Sequence, residues 1–347
     1  MKKMFLFAAM ASVAFASCTT DESVFDAAKE QGKIEFVAAN YAAQTRGEHD
    51  SLAFTNADYT VWAWENGEDV EHMDSVKVTA PSTVTGTYYW PNFALDFAAT
   101  TPYGDPRIVL NRTGGKSTIT FTFDATDNKE HVTNLMFADF VESQSYDSDL
   151  NQGNKVVALK FRHVLSRLNV IVKQVNPDSI DGIDSYNVTV NSLSFDGFLN
   201  EGSLTIAEDT AANYKTNNYI WAPATPAVTD NWSIIATDKD IEEAAFATGY
   251  DHGDENYFVM PQEIPATAKL NITYTVTTRF TNRTSSKETY TKSVALNAIT
   301  DGRNPITKWF TNKNVTYTIN ITPADLEPIS FTVAEEEMGT IGGTQQF

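Results

Sequence analysis

The residues in this chain that could do chemistry lie near its start: one thiol, Cys18, and one peptide bond in a polar stretch, Arg46–Gly47. Cys18 is the only cysteine, so no disulfide can form within the chain. It follows Lys2, Lys3, an apolar run from Met4 to Phe15 and small residues, the layout of a secretory signal that is too short to span a bilayer. One reading cuts the chain after Ala16, within Ala14-Phe15-Ala16, and leaves a spare thiol. The other makes Cys18 the new N-terminus. Gln44-Thr45-Arg46-Gly47-Glu48-His49-Asp50 is polar and contains a glycine. It predicts an accessible loop of the kind proteases cut, although Arg46 on its own reads more readily as an ordinary surface arginine.

The other reactive side chains do not gather into a constellation. His49, His72, His131, His163 and His252 are scattered, and His163 sits on the apolar parity of its segment, as a hydrogen-bonded structural histidine would. Asp251-His252-Gly253-Asp254-Glu255 offers oxygen ligands without the twelve-residue spacing of a calcium loop, so a solvated turn is expected. Gly115-Lys116-Ser117 mimics the end of a phosphate-binding loop, but the first glycine of that motif would fall at Leu110, inside a strand. Neither a Gly-x-Ser-x-Gly elbow nor a His-Glu-x-x-His pair is present. The expectation is a protein that is not an enzyme, with no catalytic residues, no metal and no cofactor. A formal net charge of -20 argues against nucleic acid, which is bound by clustered Lys and Arg.

The elements that must position Cys18 and Arg46 are strands. At 347 residues the chain suggests about two domains. Aromatic residues make up 12% of it, Thr, Val, Ile and Asn are frequent, and long helical patterns are missing, so the fold class is all-β with very little helix. Residues Thr19 to Lys33 are polar and acidic, a tether without a period. From Ile34 to Tyr41 the side chains of Ile34, Phe36 and Ala38 share one face, which predicts a strand with one side in a core. Tyr59–Trp64 and Val84–Trp90 follow as strands. Arg107–Leu110 and Ser117–Phe123 form a hairpin round a Gly114-Gly115 turn, with Ile119, Phe121 and Phe123 on one face.

Val156 to Val172 is the longest apolar-periodic segment. Val157, Leu159, Phe161, His163 and Leu165 share one parity, whereas Leu168, Val170 and Val172 share the other. A slip of one residue turns every later side chain over, so at Ser166-Arg167 the chain must bulge or pass from one sheet to another, and the domain boundary is expected near it. Tyr186–Phe198, Tyr219–Trp221, Trp232–Ile235, Tyr257–Met260, Leu270–Val276, Thr289–Leu296 and Val315–Ile321 are further short strands, spaced as in antiparallel sandwiches. The last strand, Ile329–Val333, meets an acidic stop at Glu335-Glu336-Glu337, followed by a glycine-rich tail.

Several short motifs occur in a fixed order. Phe161-Arg162-His163-Val164-Leu165-Ser166-Arg167-Leu168 resembles the F-x-H-x-L-S-[RK]-L element of the fimbrillin family, the subunits of type V pili in Gram-negative anaerobes. Leu135-Met136-Phe137-Ala138 is similar to its D-L-M-Y-A element, with Asn134 in place of the aspartate. Met260-Pro261-Gln262 resembles its P-Q turn, and Trp309 with Tyr317-Thr318-Ile319 its W…Y-x-Y-x-I stretch. Thr332-Val333-Ala334-Glu335 resembles T-V-A-E-W near the end of the major fimbrillin, with Glu336 where the tryptophan would stand. Cys18 after Phe15-Ala16-Ser17 is similar to the lipobox of bacterial lipoproteins, with Phe15 in place of the usual leucine. Asp50-Ser51-Leu52, Asp74-Ser75-Val76, Asp178-Ser179-Ile180 and Asp209-Thr210-Ala211 resemble a short bacterial O-glycosylation consensus that also arises by chance.

The resemblance implies two transthyretin-like antiparallel β-sandwich domains in tandem. It divides the chain into a lipoprotein signal (1–17), a tether with a removable strand (18–46), an N-terminal sandwich (47–160) and a C-terminal sandwich with a donor tail (161–347). It further implies acylation at Cys18, attachment to the outer membrane before cleavage, and a cut at Arg46–Gly47 by an arginine-specific protease. After the cut the strand carrying Ile34, Phe36 and Ala38 would leave, and another pilin subunit would fill the gap with a donor strand carrying Ile329, Phe331, Val333, Met338 and Ile341. A tail after the final strand favours a stalk subunit over a tip, which need not donate, or an anchor, which keeps its lipid. The rival expectation is a monomeric surface lipoprotein binding glycans on Trp62, Trp64, Trp90, Trp221, Trp232 and Trp309. It requires coplanar exposed tryptophans and a retained first strand.

Overall fold

The computed structural model describes residues 32–40, 58–80, 82–124, 135–146, 156–175, 179–208, 219–225, 227, 229–241, 250–251, 257–323 and 329–337. These are built of strands, and the only helical turn among them is a 3₁₀ turn at Leu296–Ala298.

The first sheet runs in the order β1 (Glu35–Asn40), β10 (Val156–His163), β8 (Met136–Ala138), β5 (Leu95–Thr101), β2 (Tyr59–Glu65), β3 (Glu71–Thr79) and β4 (Thr83–Val84), with β9 (Val141–Gln144) beside β5. The second is β14 (Ile220–Pro223), β13 (Gly202–Ala207), β7 (Lys116–Phe123) and β6 (Ile108–Thr113). In the third, β17 (Tyr250–Asp251), β11 (Ser166–Gln174), β23 (Lys313–Ile321) and β24 (Ile329–Glu337) follow one another, with β18 (Tyr257–Val259) on β11. The fourth holds β15 (Thr229–Ile235), β12 (Ile183–Leu199), β20 (Lys269–Phe280) and β21 (Ser285–Ala295), with β16 (Lys239–Ile241) on β12. A short pair, β19 (Gln262–Glu263) and β22 (Lys308–Trp309), completes the set.

Three cores result. One is enclosed by the first sheet itself, with Tyr59, Val61, Phe97, Leu159 and Phe161 among its members. The opposite face of that sheet packs on the second sheet through Trp64, Phe121, Phe137 and Leu204. The third core fills the space between the third and fourth sheets, around Val170, Phe195, Leu270, Trp309 and Tyr317. The second sheet draws strands from both sides of residue 160, because β7 pairs with β13. A hairpin such as β6–β7 cannot bury its apolar face alone and needs further strands beside it. Among the described residues two pairings are parallel rather than antiparallel, β1 with β10 and β11 with β23.

The parity slip has a direct structural counterpart. The chain leaves the first sheet at His163 and enters the third at Ser166, with Val164 and Leu165 buried between them. The inward residues are Val157, Leu159 and Phe161 before the step, and Leu168, Val170 and Val172 after it. His163 is buried at this joint and stacks on Phe258 with centroids 6.5 Å apart. Its main-chain N–H donates to Asn312 Oδ1 at 3.2 Å, while its side-chain Nδ1 has no hydrogen-bond partner. Burial, reinforced by the nearby Arg167 charge, lowers its pKa to about 4.

The Gly114-Gly115 turn joins β6 to β7, with both glycines at positive φ, 60° and 73°. A Cβ on Gly115 would collide with the carbonyl of Gly67, so glycine is required there by contact as well as by conformation. The two amides donate to the carboxylate of Asp69 at 3.0 and 2.8 Å and hold it below the usual carboxylate range. The anion seat suggested by Gly115-Lys116-Ser117 is thus taken by the chain's own aspartate. Nearby, the covered side chain of Arg112 ties the first two sheets together. It bonds Asp96 at 2.7 Å and Glu208 at 3.3 Å, and lies 4.9 Å from the Trp64 ring centroid.

Two strand expectations change. Val84–Trp90 forms only the end of β4 and a single bridge at Tyr89, since Gly86 at φ 98° turns the chain out of extended geometry. The acidic run does not stop the last strand, which continues to Glu337 because β23 supplies a ladder as far as Lys313 and Lys313 faces Glu335 at 3.6 Å.

Candidate functional site

The alternation of Ile34, Phe36 and Ala38 appears as β1, an edge strand in register with β10 from Glu35↔Val156 to Asn40↔Phe161. Ile34, Phe36 and Ala38 are 3%, 2% and 4% exposed, whereas Val37 is 51% exposed. The seat beneath them is made by Val157, Leu159 and Phe161 of β10, with Phe97 and Trp90. Phe36 meets the Phe97 ring edge to face at 5.8 Å, and Trp90 meets the same ring at 5.9 Å. The start of the segment is tied to the chain after β4: the Ile34 N–H donates to Tyr88 O at 2.9 Å, and the Trp90 N–H to Gly32 O at 3.1 Å.

This arrangement fixes what removal of β1 would do. Burying Ile34 and Phe36 contributes about 2 kcal/mol each, and their loss would leave an apolar groove beside Phe97. The edge of β10 from Val156 to Phe161 would lose its ladder, an exposure that natural sheets avoid. Arg46 and Gly47 lie in residues 41–57, outside the described residues, as does Cys18. Chain connectivity alone dictates that a cut between residues 41 and 57 would leave β1 bound to the body by noncovalent contacts.

At the other end, Ile329, Phe331 and Val333 lie on β24, the edge of the third sheet, paired antiparallel with β23 along Lys313–Ile321. Val333 is buried, and its N–H donates to Thr300 O at 3.1 Å. Ile329 and Phe331 pack on the third core but are only half-buried. Met338 and Ile341 lie outside the described residues.

Trp64, Trp90, Trp232 and Trp309 are buried. Trp62 and Trp221 are half-buried and donate from Nε1 to Ser75 Oγ and Val164 O, so no tryptophan presents an open platform. His72 Nε2 sits 3.0 Å from Tyr89 O, while His49, His131 and His252 fall outside the described residues. Sequence reasoning did not assign Val157, Leu159, Phe161, Phe97 or Trp90 to the β1 seat. The parity of Val157, Leu159 and Phe161 marks an inward face, but nothing local shows that β1 pairs beside it.

A family model described as fimbrillin-like matches residues 45–335. Among solved structures, a fimbrial protein from Bacteroides vulgatus is similar at 20% identity and a TM-score of 0.61, over 88% of this chain and 99% of that one. A candidate cell adhesion protein from Bacteroides uniformis aligns at 16% identity and a TM-score of 0.45, over 88% and 98% of the two chains. The tip fimbrial protein Mfa3 from Porphyromonas gingivalis, with a C-terminal truncation, aligns at 7% identity and 0.38, over 88% and 100%. No curated protein matches the chain. The likeness to the Bacteroides vulgatus protein is one of fold.

Proposed function

The chain belongs to the fimbrillin-like family, and on that premise we propose that it is a structural subunit of a cell-surface fimbria that supports adhesion and polymerises by exchanging strands. In this reading the chain is exported as a lipoprotein acylated at Cys18 and cut after Arg46. Its two sandwiches are transthyretin-like, and its place is in the stalk. Other pilin subunits are its partners, and the chemistry is that of assembly rather than catalysis.

One observation carries the proposal: an edge strand with three buried inward side chains precedes the Arg46–Gly47 bond in the sequence. Such a strand can be released by one cut, and its seat then favours any strand of matching pattern. A neighbour's strand restores both ladder and core, the principle of β-augmentation. Because donor and acceptor surfaces differ, the contact is head-to-tail and need not close on itself, so a filament follows.

The test is Arg46→Ala in cells that export and process the chain. Unheated gel electrophoresis should show ladders of polymer from the wild type and almost none from the variant. Ladders of normal height from an uncut Arg46→Ala chain would refute the proposal.

A further inference from the structure

The outer face of the fourth sheet carries a groove that the assembly chemistry does not use. Along β20, Leu270, Ile272, Tyr274 and Val276 point into the core, so Thr273, Thr275, Thr277 and Arg279 point outward. The register sets their neighbours on that face: Thr277 stands between Asn187 of β12 and Lys287 of β21, and Arg279 between Ser185 and Ser285. Asp184 is the extra residue at the register shift between Ile183 and Ser185, and a bulge of this kind re-aims the side chain that it inserts. Asp240 of β16 adds a second carboxylate, which accepts from Thr189 Oγ1 at 2.6 Å and from Asn187 Nδ2 at 3.5 Å. The turn from β20 to β21 brings Arg283. Its N–H donates to Phe280 O at 2.9 Å, and the Thr281 N–H ties the turn to Gly182 O at 3.2 Å. The result is a groove of about 810 Å³ whose lining includes Asp184, Asp240, Arg279, Arg283 and Lys287.

Three cations thus face two carboxylates in one groove, on a chain whose formal net charge is -20. Arg279, Arg283, Lys287 and Asp184 have no ion-pair partner among the described residues, so acids and bases share the groove without neutralising one another. That combination selects the occupant. A bare inorganic anion would be drawn by the cations and repelled by Asp184 and Asp240. A neutral sugar would donate to the carboxylates, which only accept, and leave the cations without a partner. An apolar ligand would strip water from all five groups and return nothing. A ligand bearing both hydroxyls and an anionic group meets both sets, with the guanidinium forks suited to a carboxylate or sulfate.

We infer that this groove binds an acidic oligosaccharide, with sugar hydroxyls donating to Asp184 and Asp240 and a carboxylate or sulfate held by Arg279, Arg283 and Lys287. Beside the groove the same face continues as hydroxyls, Thr275 paired with Thr289 at 3.0 Å and Thr273 with Thr291 at 3.2 Å. Further sugar units can lie along them, whereas the apolar side chains of a peptide would find nothing there to bury against. The site does not depend on acylation, cleavage or strand exchange.

The experiment is calorimetric titration of the purified uncut chain with a galacturonate trisaccharide and with a sulfated heparin tetrasaccharide, which separate carboxylate from sulfate as the anionic group. The methyl-esterified trisaccharide, sodium sulfate and hexaglutamate are the comparison probes. At least one acidic oligosaccharide should bind, and more tightly than any of the three comparison probes. Arg279→Gln with Arg283→Gln should weaken it at least about tenfold, because charge-assisted hydrogen bonds are lost. The same charge change at distant, unrelated positions, Lys160→Gln with Lys173→Gln, should leave it unchanged. Asp184→Asn decides the two-part recognition: it should weaken the oligosaccharide about threefold or more, since a carboxylate accepts hydroxyls better than an amide. All these side chains except Lys173 are exposed or at the groove rim, and unchanged urea midpoints would show that the variants fold. Tighter binding by Asp184→Asn, or equal binding of sodium sulfate, would reduce the groove to a patch of positive charge and overturn the inference. Equal loss from the Lys160 and Lys173 pair would overturn it as unspecific attraction, and tighter binding of hexaglutamate would make the occupant a peptide. If neither acidic oligosaccharide binds, the inference fails, while polymers of the processed chain could still form.

Discussion

The two edge strands β1 and β24 carry nearly the same inward pattern and are held in opposite ways. β1 has a parallel ladder of six residues, and with Ile34 just before it presents three buried side chains. β24 has an antiparallel ladder of nine residues, with two of its three inward side chains half-covered. The first is held mainly by what its side chains fill, the second mainly by its backbone. A strand of the first kind leaves a specific cavity when it goes, which another strand must match in shape. A strand of the second kind can leave without opening a deep void.

The comparison can be broken most directly at the two phenylalanines. Phe36→Ala in the uncut chain should cost about 3–5 kcal/mol, because a fully buried ring is lost and the groove cannot collapse. Phe331→Ala should cost less, since its side chain is only partly buried. Urea unfolding of the two variants measures both, and equal losses would erase the distinction between the strands.

A second effect of about 3 kcal/mol lies where the two seats meet. His163 ends β10, which holds β1, and its N–H bonds Asn312, the residue before β23, which holds β24. The folded chain keeps the imidazole neutral down to about pH 4, against an ordinary value of 6.5. The unfolded chain therefore takes up a proton first as pH falls, and stability is lost between about 6.5 and 4. His163→Phe should remove that part of the acid sensitivity. Comparing wild type and variant at pH 7 and pH 4.5 isolates it from the carboxylates, and parallel losses in both would contradict the assignment.

The smallest effect sharpens the view that β24 is held by its ladder. Lys313 and Glu335 pair across it at 3.6 Å and are about a quarter exposed. Glu335→Gln should change stability by no more than about 0.5 kcal/mol, as partly solvated pairs do. A loss several times larger would mean that this charge pair, and not the backbone, secures the strand.

Much of the strand content is visible in the residues themselves. Period-two alternation marks β1, β7, β10, β11 and β23, and the parity slip at Ser166-Arg167 locates the passage between sheets to within a few residues, because side-chain direction is a local property of extended backbone. The Gly114-Gly115 turn is legible for the same reason, as a conformation that few residues can adopt. Asp69 as the partner of that turn is not legible, because a carboxylate far away in sequence carries no sign of which amides it will meet.

The amino-acid sequence by itself determined that this is an all-β chain, where most of its strands run, and that Ile34, Phe36 and Ala38 face inward together. Only the tertiary structure decided that they lie parallel along β10 against Phe97, that β13 crosses to pair with β7, and that Ile329 and Phe331 stay only partly buried. Alternation encodes which face of a strand is apolar. The choice of neighbour is made by the long-range packing of whole sheets, and no single strand records it.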